Sequence, residues 1–62
     1  MTIEEQYFIR AMAEFGNRFS SALADAWSKA DAENRGRLRR AFPELMLQYG
    51  PGTAFFNAVE AD

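Results

Sequence analysis

Four arginines lie within six consecutive positions of the stretch ADAENRGRLRRAFPEL, residues 30–45. They are Arg35, Arg37, Arg39 and Arg40. A guanidinium group binds phosphate or carboxylate through two parallel hydrogen bonds, and six of the seven basic residues in the chain are arginine. The cluster therefore suggests an anion-binding site, although it also fits an ordinary solvated helix face.

The spacing of nearby carboxylates supports the solvated-face interpretation for most of these arginines and leaves both interpretations open. Acidic and basic side chains four residues apart on a helix form ion pairs. Such pairs are expected for most basic residues: Asp31–Arg35, Glu33–Arg37, Arg40–Glu44, Asp25–Lys29, and Glu14 with Arg10 or Arg18. Only Arg39 has no acidic residue at this spacing. If the cluster is a site, Arg39 should contribute most and Arg35, on the same face, should come next.

Aromatic residues complete the predicted ligand- or partner-binding site. Tyr49 or Phe56 would supply a flat surface beside Arg35 and Arg39. Replacing either arginine with alanine should then abolish binding and leave the melting temperature nearly unchanged. The alternative site is the Phe55–Phe56 pair. Because two adjacent phenylalanines after a Gly-Pro-Gly break cannot both face one core, one of them is expected to meet a second chain.

The composition argues against enzymatic chemistry. The chain has no cysteine and no histidine, so the best intrinsic nucleophile, the commonest general base and the usual zinc ligands are missing. No lysine follows any of the four glycines in the pattern of a phosphate-binding loop. We therefore expect a non-enzyme with no catalytic residues, no metal and no cofactor.

Charge and hydropathy limit the partners. A net charge of −2 disfavours general DNA binding, which depends on neutralising phosphates. The opening MTIEEQYFIR lacks the apolar core of a signal peptide, and no apolar run approaches the ~20 residues that span a bilayer. The expectation is a cytoplasmic protein with no membrane association.

The N-terminal half carries one apolar stripe at helical spacing. Thr2 and Glu5 form a capping-box pattern, which predicts a helix start. The stripe continues through Gly16 and Asn17 without a change of phase, which favours a single helix over residues 3–29; two helices broken at Gly16 are the alternative. The stripe consists of Phe8, Met12, Phe15, Phe19, Leu23 (or Ala22), Ala26 and Ala30.

The C-terminal half predicts a second helical segment and a tail. Asp31 is a good N-cap for a helix from Ala32 to about Phe42. Pro43 should kink or restart that helix, which then continues to Tyr49 and ends at the YGPG stretch over residues 49–52. Thr53 can cap a short final helix, AFFNAVEA, unless that tail is ordered only by a partner.

Together these elements predict one all-α domain over residues 1–62, with the long helix packed antiparallel on the Pro-kinked segment. A helix over residues 3–29 is about 40 Å long, whereas residues 32–49 cover only about 27 Å. Part of the stripe would stay bare in a monomer, which indicates a homo-oligomer. The expected interface residues are Phe8, Met12, Phe15, Phe19, Leu23 and Ala26.

The stretch ADAENRGRLRRAFPELMLQYG resembles a pattern in small helical proteins of bacteriophages and prophages. The pattern comprises an acidic residue, Glu-Asn-Arg, a leucine and Ala-Phe-Pro-Glu; the match is Asp31, Glu33, Asn34, Arg35, Leu38, Ala41, Phe42, Pro43 and Glu44. It covers about a third of the chain. The resemblance implies a phage context, in which small accessory proteins without catalytic groups often act by binding and many blunt host defence.

Two classes of function follow from the residues and this resemblance. In the first, the protein antagonises host immunity, either by blocking a defence protein complex or by sequestering a nucleotide signal through arginines. In the second, it is a structural or regulatory phage protein that serves as a helical oligomerisation module. A thermal-shift screen against cyclic di- and trinucleotides separates the nucleotide hypothesis from the others.

Overall fold

The structure, a computed structural model covering residues 1–62, contains five α-helices and no strand. This confirms the all-α prediction. None of the helices is both long and apolar enough to cross a bilayer. The helices are α1 (Ile3–Phe15), α2 (Arg18–Lys29), α3 (Ala32–Ala41), α4 (Pro43–Tyr49) and α5 (Ala54–Ala61).

The favoured single helix over residues 3–29 is wrong, because the chain breaks at Gly16 and Asn17 into α1 and α2. The Gly16 N–H donates to the Met12 carbonyl, which closes α1. The Asn17 side chain accepts from the Ser20 N–H at 2.9 Å, which starts α2. Both residues adopt extended backbone angles. Two local caps therefore outweigh the continuous phase of the apolar stripe.

The second helical segment restarts at Pro43, as predicted. Asp31 caps α3 by accepting from the Asn34 N–H at 2.9 Å. Phe42 lies between α3 and α4 with φ −131° and ψ 61°, and Pro43 is the first residue of α4. This position suits proline, since its missing N–H would have no helical partner there.

The C-terminal tail forms its own helix and packs on the rest of the chain. Gly50 closes α4 by donating to the Met46 carbonyl, and the Thr53 side chain accepts from the Phe56 N–H to begin α5. Helix α5 lies against α1 and contributes Phe56 and Val59 to the core. Of the two predictions for this tail, the short helix is confirmed.

The core lies between α1, α2, α4 and α5. Helix α1 packs mainly on α2 and α5, not on the Asp31–Tyr49 segment as expected, because the break at Gly16 folds α2 back onto it. Helix α3 has no buried residue and lies against the core through the half-buried Leu38. The ten apolar core residues are Phe8, Ile9, Ala11, Met12, Ala24, Trp27, Leu45, Tyr49, Phe56 and Val59.

This core changes the oligomer prediction. Phe8 and Met12, expected at an interface between copies, are fully buried in the chain itself. The comparison of helix lengths no longer applies either, since no helix over residues 3–29 exists. Phe15, Phe19 and Ala26 remain exposed, so self-association through them stays a prediction.

Candidate functional site

Arg35 and Arg39 converge on a single carboxylate, that of Glu5. The two arginines are one turn apart on α3, and Glu5 lies in the first turn of α1. Arg39 Nη1 lies 2.7 Å from Glu5 Oε2, and Arg35 Nε lies 3.4 Å from Glu5 Oε1. The side chain of Glu5 is only 12% exposed, against 19% for Arg35 and 47% for Arg39. The contact therefore ties α3 to α1 in a largely desolvated place.

This arrangement differs from the expected helical pairs. Arg39, which has no acidic residue four positions away, finds one 34 residues away in sequence. Arg35 does not pair with Asp31; it binds Glu5 and donates to the Ala30 carbonyl at 2.9 Å. Glu5 makes only half of the predicted capping box: its N–H donates to the Thr2 hydroxyl at 3.1 Å, while its carboxylate binds the arginines.

A small cavity of about 260 Å³ opens beside this contact. Its polar lining includes two carboxylates, of Glu4 and Glu5, and one guanidinium, of Arg39. Two negative charges against one positive charge disfavour a phosphate there. Neither Tyr49 nor Phe56 is among the lining residues, which are Thr2, Glu4, Glu5, Phe8, Arg39 and Met46. The structure thus brings Arg35 and Arg39 together but not with the predicted aromatic surface.

Other basic residues pair locally on exposed surface. Arg37 lies 3.4 Å from Glu33, and Lys29 lies 3.1 Å from Asp25, which confirms two of the expected helical pairs. The expected Arg40–Glu44 pair does not form, and neither residue takes part in any ion pair. Arg10 lies 3.8 Å from Glu14, which confirms a third expected helical pair, and 3.4 Å from Asp62.

Three aromatic rings stack where α1, α4 and α5 meet, and we call this group the aromatic face. Its members are Phe15, Phe55 and Tyr49. The Phe55 ring lies 4.9 Å from that of Phe15 and 5.5 Å from that of Tyr49, both in stacked geometry. Phe15 is 43% and Phe55 41% exposed, whereas Tyr49 is buried. The aromatic face is thus an apolar surface that water covers in the isolated chain.

The two tail phenylalanines face opposite ways, as expected. Phe56 is buried in the core, with its ring edge-on to Tyr7 at 5.9 Å. Phe55 points to the surface as part of the aromatic face. The exposed Phe19 meets the half-buried Phe42 edge-on at 5.6 Å between α2 and the α3–α4 junction. Phe55 is therefore available to a partner, whereas Phe56 is not.

Two features escaped the sequence analysis. Glu5 was assigned to a helix cap, and spacing rules give no signal for a partner more than thirty residues away. The second feature is a groove of about 430 Å³ between α2 and α3. Ala26 and Ala30 of its lining were assigned to the end of the apolar stripe, and the groove forms only because α3 packs beside α2.

Comparison with known proteins adds no further constraint on the site. No family model, no curated protein and no solved structure matches this chain.

Proposed function

We propose that this protein acts by binding another protein through the aromatic face of Phe15, Tyr49 and Phe55. The observation that carries the proposal is the stacked pair of half-exposed phenylalanine rings. Exposed aromatic clusters on small soluble chains commonly mark interaction sites, and phenylalanine and tyrosine are enriched at the centres of protein interfaces. The rings are held in place by their mutual stacking, so little conformational freedom is lost on binding.

The geometry favours a protein partner over a nucleotide signal. A nucleotide held by Arg35 and Arg39 has to displace Glu5 from both guanidinium groups. It also has to approach Glu4 and Glu5 with its own negative charge. The aromatic face has no such competitor, since Phe15 and Phe55 are uncharged and their rings are partly exposed. The nucleotide hypothesis remains as an outcome of the test below.

The resemblance to phage and prophage proteins gives the proposal its biological setting. In that setting, the partner is a host defence protein and the protein antagonises immunity by occupying a surface of a defence complex in the host cytoplasm. The alternative is a structural or regulatory phage protein in which the same face joins copies of the chain or other phage components.

A plating assay tests this proposal. The protein is expressed in a host that carries, one at a time, a panel of defence systems, and the plating of a restricted phage is measured. We expect relief of one system by the parent chain and loss of relief with Phe55→Ser. Truncating a central interface aromatic costs about 2 kcal/mol, which is about 30-fold in Kd.

The matched control is Ile3→Ser, which removes an exposed apolar side chain about 18 Å away at the other end of α1. It should act like the parent. Relief of no defence system, or full activity of Phe55→Ser, would contradict the proposal. Stabilisation by a cyclic nucleotide that disappears in Arg39→Ala would replace it with the nucleotide hypothesis.

A further inference from the structure

The groove between α2 and α3, called the α2–α3 groove below, has an apolar floor and a basic rim. Ala26, Ala30 and Ala41 keep the floor shallow, so another helix can approach closely. Lys29 and Arg37 stand at the rim, and none of the lining residues carries a carboxylate. The full lining is Ala26, Lys29, Ala30, Asn34, Arg37, Leu38 and Ala41.

The basic side chains at this rim form only exposed, weak ion pairs. Arg37 pairs with Glu33 and Lys29 with Asp25, but all four side chains are well exposed. Exposed pairs of this kind contribute little and exchange readily for another partner. Helix α3 carries four arginines against one glutamate, a net charge of +3, while the whole chain is −2. Two of these arginines are held by Glu5, so the basic groups at the groove itself are Lys29 and Arg37.

A complementary surface lies on α4 of the same chain. Leu47 is 81% exposed, more than any other large apolar side chain of the molecule. Glu44, three residues earlier on the same side of the helix, forms no ion pair. Glu44 and Leu47 together make a short acidic and apolar ridge, which we call the α4 ridge. Its composition matches a groove with an apolar floor and a basic rim.

We propose that the α2–α3 groove binds the α4 ridge of a second copy of this chain. Leu47 of one copy covers the floor formed by Ala26, Ala30 and Leu38 of the other, and Glu44 meets Arg37. Within one copy the groove and the ridge are close in sequence, because only Phe42 separates α3 from α4. In a closed dimer a two-fold axis relates the two contacts, so that each groove holds the ridge of the other copy.

This inference does not rest on the proposed function. The aromatic face takes no part in the contact, and Ala26 is the one residue shared with the interface predicted from the sequence. Phe55→Ser should therefore dimerise like the parent even where it loses its partner. A failure of one proposal leaves the other testable by the same set of variants.

Sedimentation equilibrium on the full chain tests the dimer. From about 1 µM to 1 mM chain, a range that spans weak to moderate affinities, the mass should rise from 7.0 kDa to twice that value. Leu47→Ser should weaken the dimer about 10- to 100-fold, since a buried leucine side chain is lost. Ile3→Ser, at an equally exposed position outside the contact, should leave it unchanged.

Charge exchange tests the register of the contact. Arg37→Glu and Glu44→Arg should each weaken the dimer about tenfold or more, and the double variant should regain most of that loss. Arg40→Glu, with the same charge change on the same helix but outside the groove, is the control. Circular dichroism first verifies that every variant is folded.

Three results would overturn the proposal. The first is a parent chain that stays at 7.0 kDa throughout. The second is growth beyond the dimer, which means head-to-tail contacts in place of the two-fold arrangement. The third is a dimer that survives Leu47→Ser, which puts the contact on another surface.

Discussion

At the level of single residues, Glu5 joins two helices that are far apart in the sequence. Its carboxylate binds Arg35 and Arg39 of α3, a helix that has no buried side chain of its own. Because Glu5 and Arg35 are largely withdrawn from water, losing one partner leaves the other charge poorly compensated. The stability of α3 on the core therefore depends on this contact more than on any exposed helical ion pair.

Glu5→Gln should destabilise the fold. The amide keeps the shape of the side chain but removes its charge, so both guanidinium groups lose their partner. We expect a loss of about 1–2 kcal/mol, between the values for exposed and buried pairs. For a domain of this size that lowers the melting temperature by roughly 4–16 °C. Thermal unfolding followed by circular dichroism measures it.

The control for this substitution is Glu33→Gln, which breaks only the exposed pair with Arg37 and should shift the melting temperature by no more than a few degrees. Equal melting temperatures for the two variants would refute the role given to Glu5. The expectation that Arg35→Ala leaves stability untouched is revised on the same grounds, since Arg35 is mostly buried and also holds the Ala30 carbonyl.

The sequence predicted some of the local ion pairs and missed the contacts between distant residues. Asp25–Lys29 and Glu33–Arg37 follow from helix geometry alone, because residues four apart are always neighbours. The contact of Glu5 with Arg39 depends on how α1 and α3 pack in three dimensions. No spacing rule encodes that packing, so the arginines looked freer in the sequence than they are in the structure.

At the level of helices, the break at Gly16 and Asn17 determines the fold. Capping residues and apolar spacing predicted the other helix ends within one residue but joined α1 to α2, because a helical hairpin preserves the phase of its buried face. The missed signal was Asn17, which is a strong N-cap residue after a glycine. Gly16 itself is needed for space: a Cβ there would lie 2.4 Å from the Met12 carbonyl oxygen and 2.6 Å from the Ser20 Cβ.

Gly16→Ala should therefore destabilise the hairpin of α1 and α2. Its backbone angles suit any residue, so the penalty is steric and amounts to about 1–3 kcal/mol, as for other overpacked sites. Urea denaturation measures the change in free energy of unfolding. A stability equal to the parent's would show that the two helices can separate at no cost.

Gly36→Ala is the matched control for this experiment. Gly36 lies inside α3, where a Cβ would meet only the flexible guanidinium of Arg40, at 3.3 Å. Alanine in a helix interior is better than glycine by about 0.5–1 kcal/mol, so this variant should be more stable than the parent. We therefore expect Gly16→Ala to lower the free energy of unfolding and Gly36→Ala to raise it.

At the level of the whole molecule, the chain folds around its own core and leaves an accessible surface of ordinary total area. Its accessible surface of 4006 Å² is close to the roughly 4000 Å² expected for a compact monomer of 7.0 kDa. The dimer proposed above therefore rests on surface complementarity and not on the size of the surface. Helix α5 contributes to this compact fold, because it packs on α1 and adds Phe56 and Val59 to the core.

Phe56→Ala should unfold much of the population. Removing a buried phenylalanine costs about 3–5 kcal/mol, while a chain of 62 residues has a total stability of only about 3–9 kcal/mol. Far-ultraviolet circular dichroism at 25 °C should show a clear loss of helix. Phe55→Ala, one residue earlier but half exposed, should keep its helical signal. If Phe56→Ala stays as helical as the parent, α5 is not part of the core.

The packing around Trp27 makes the fluorescence of this residue a probe of folding. Trp27 is the single tryptophan of the chain; its ring is fully buried edge-on to Phe8, and its indole N–H has no hydrogen-bond partner. An indole that neither water nor a polar group can stabilise in its excited state emits at short wavelength. Unfolding brings water to that ring and moves the emission to the red. The folding of every variant described above can therefore be followed by intrinsic fluorescence, without attaching a label to this small chain.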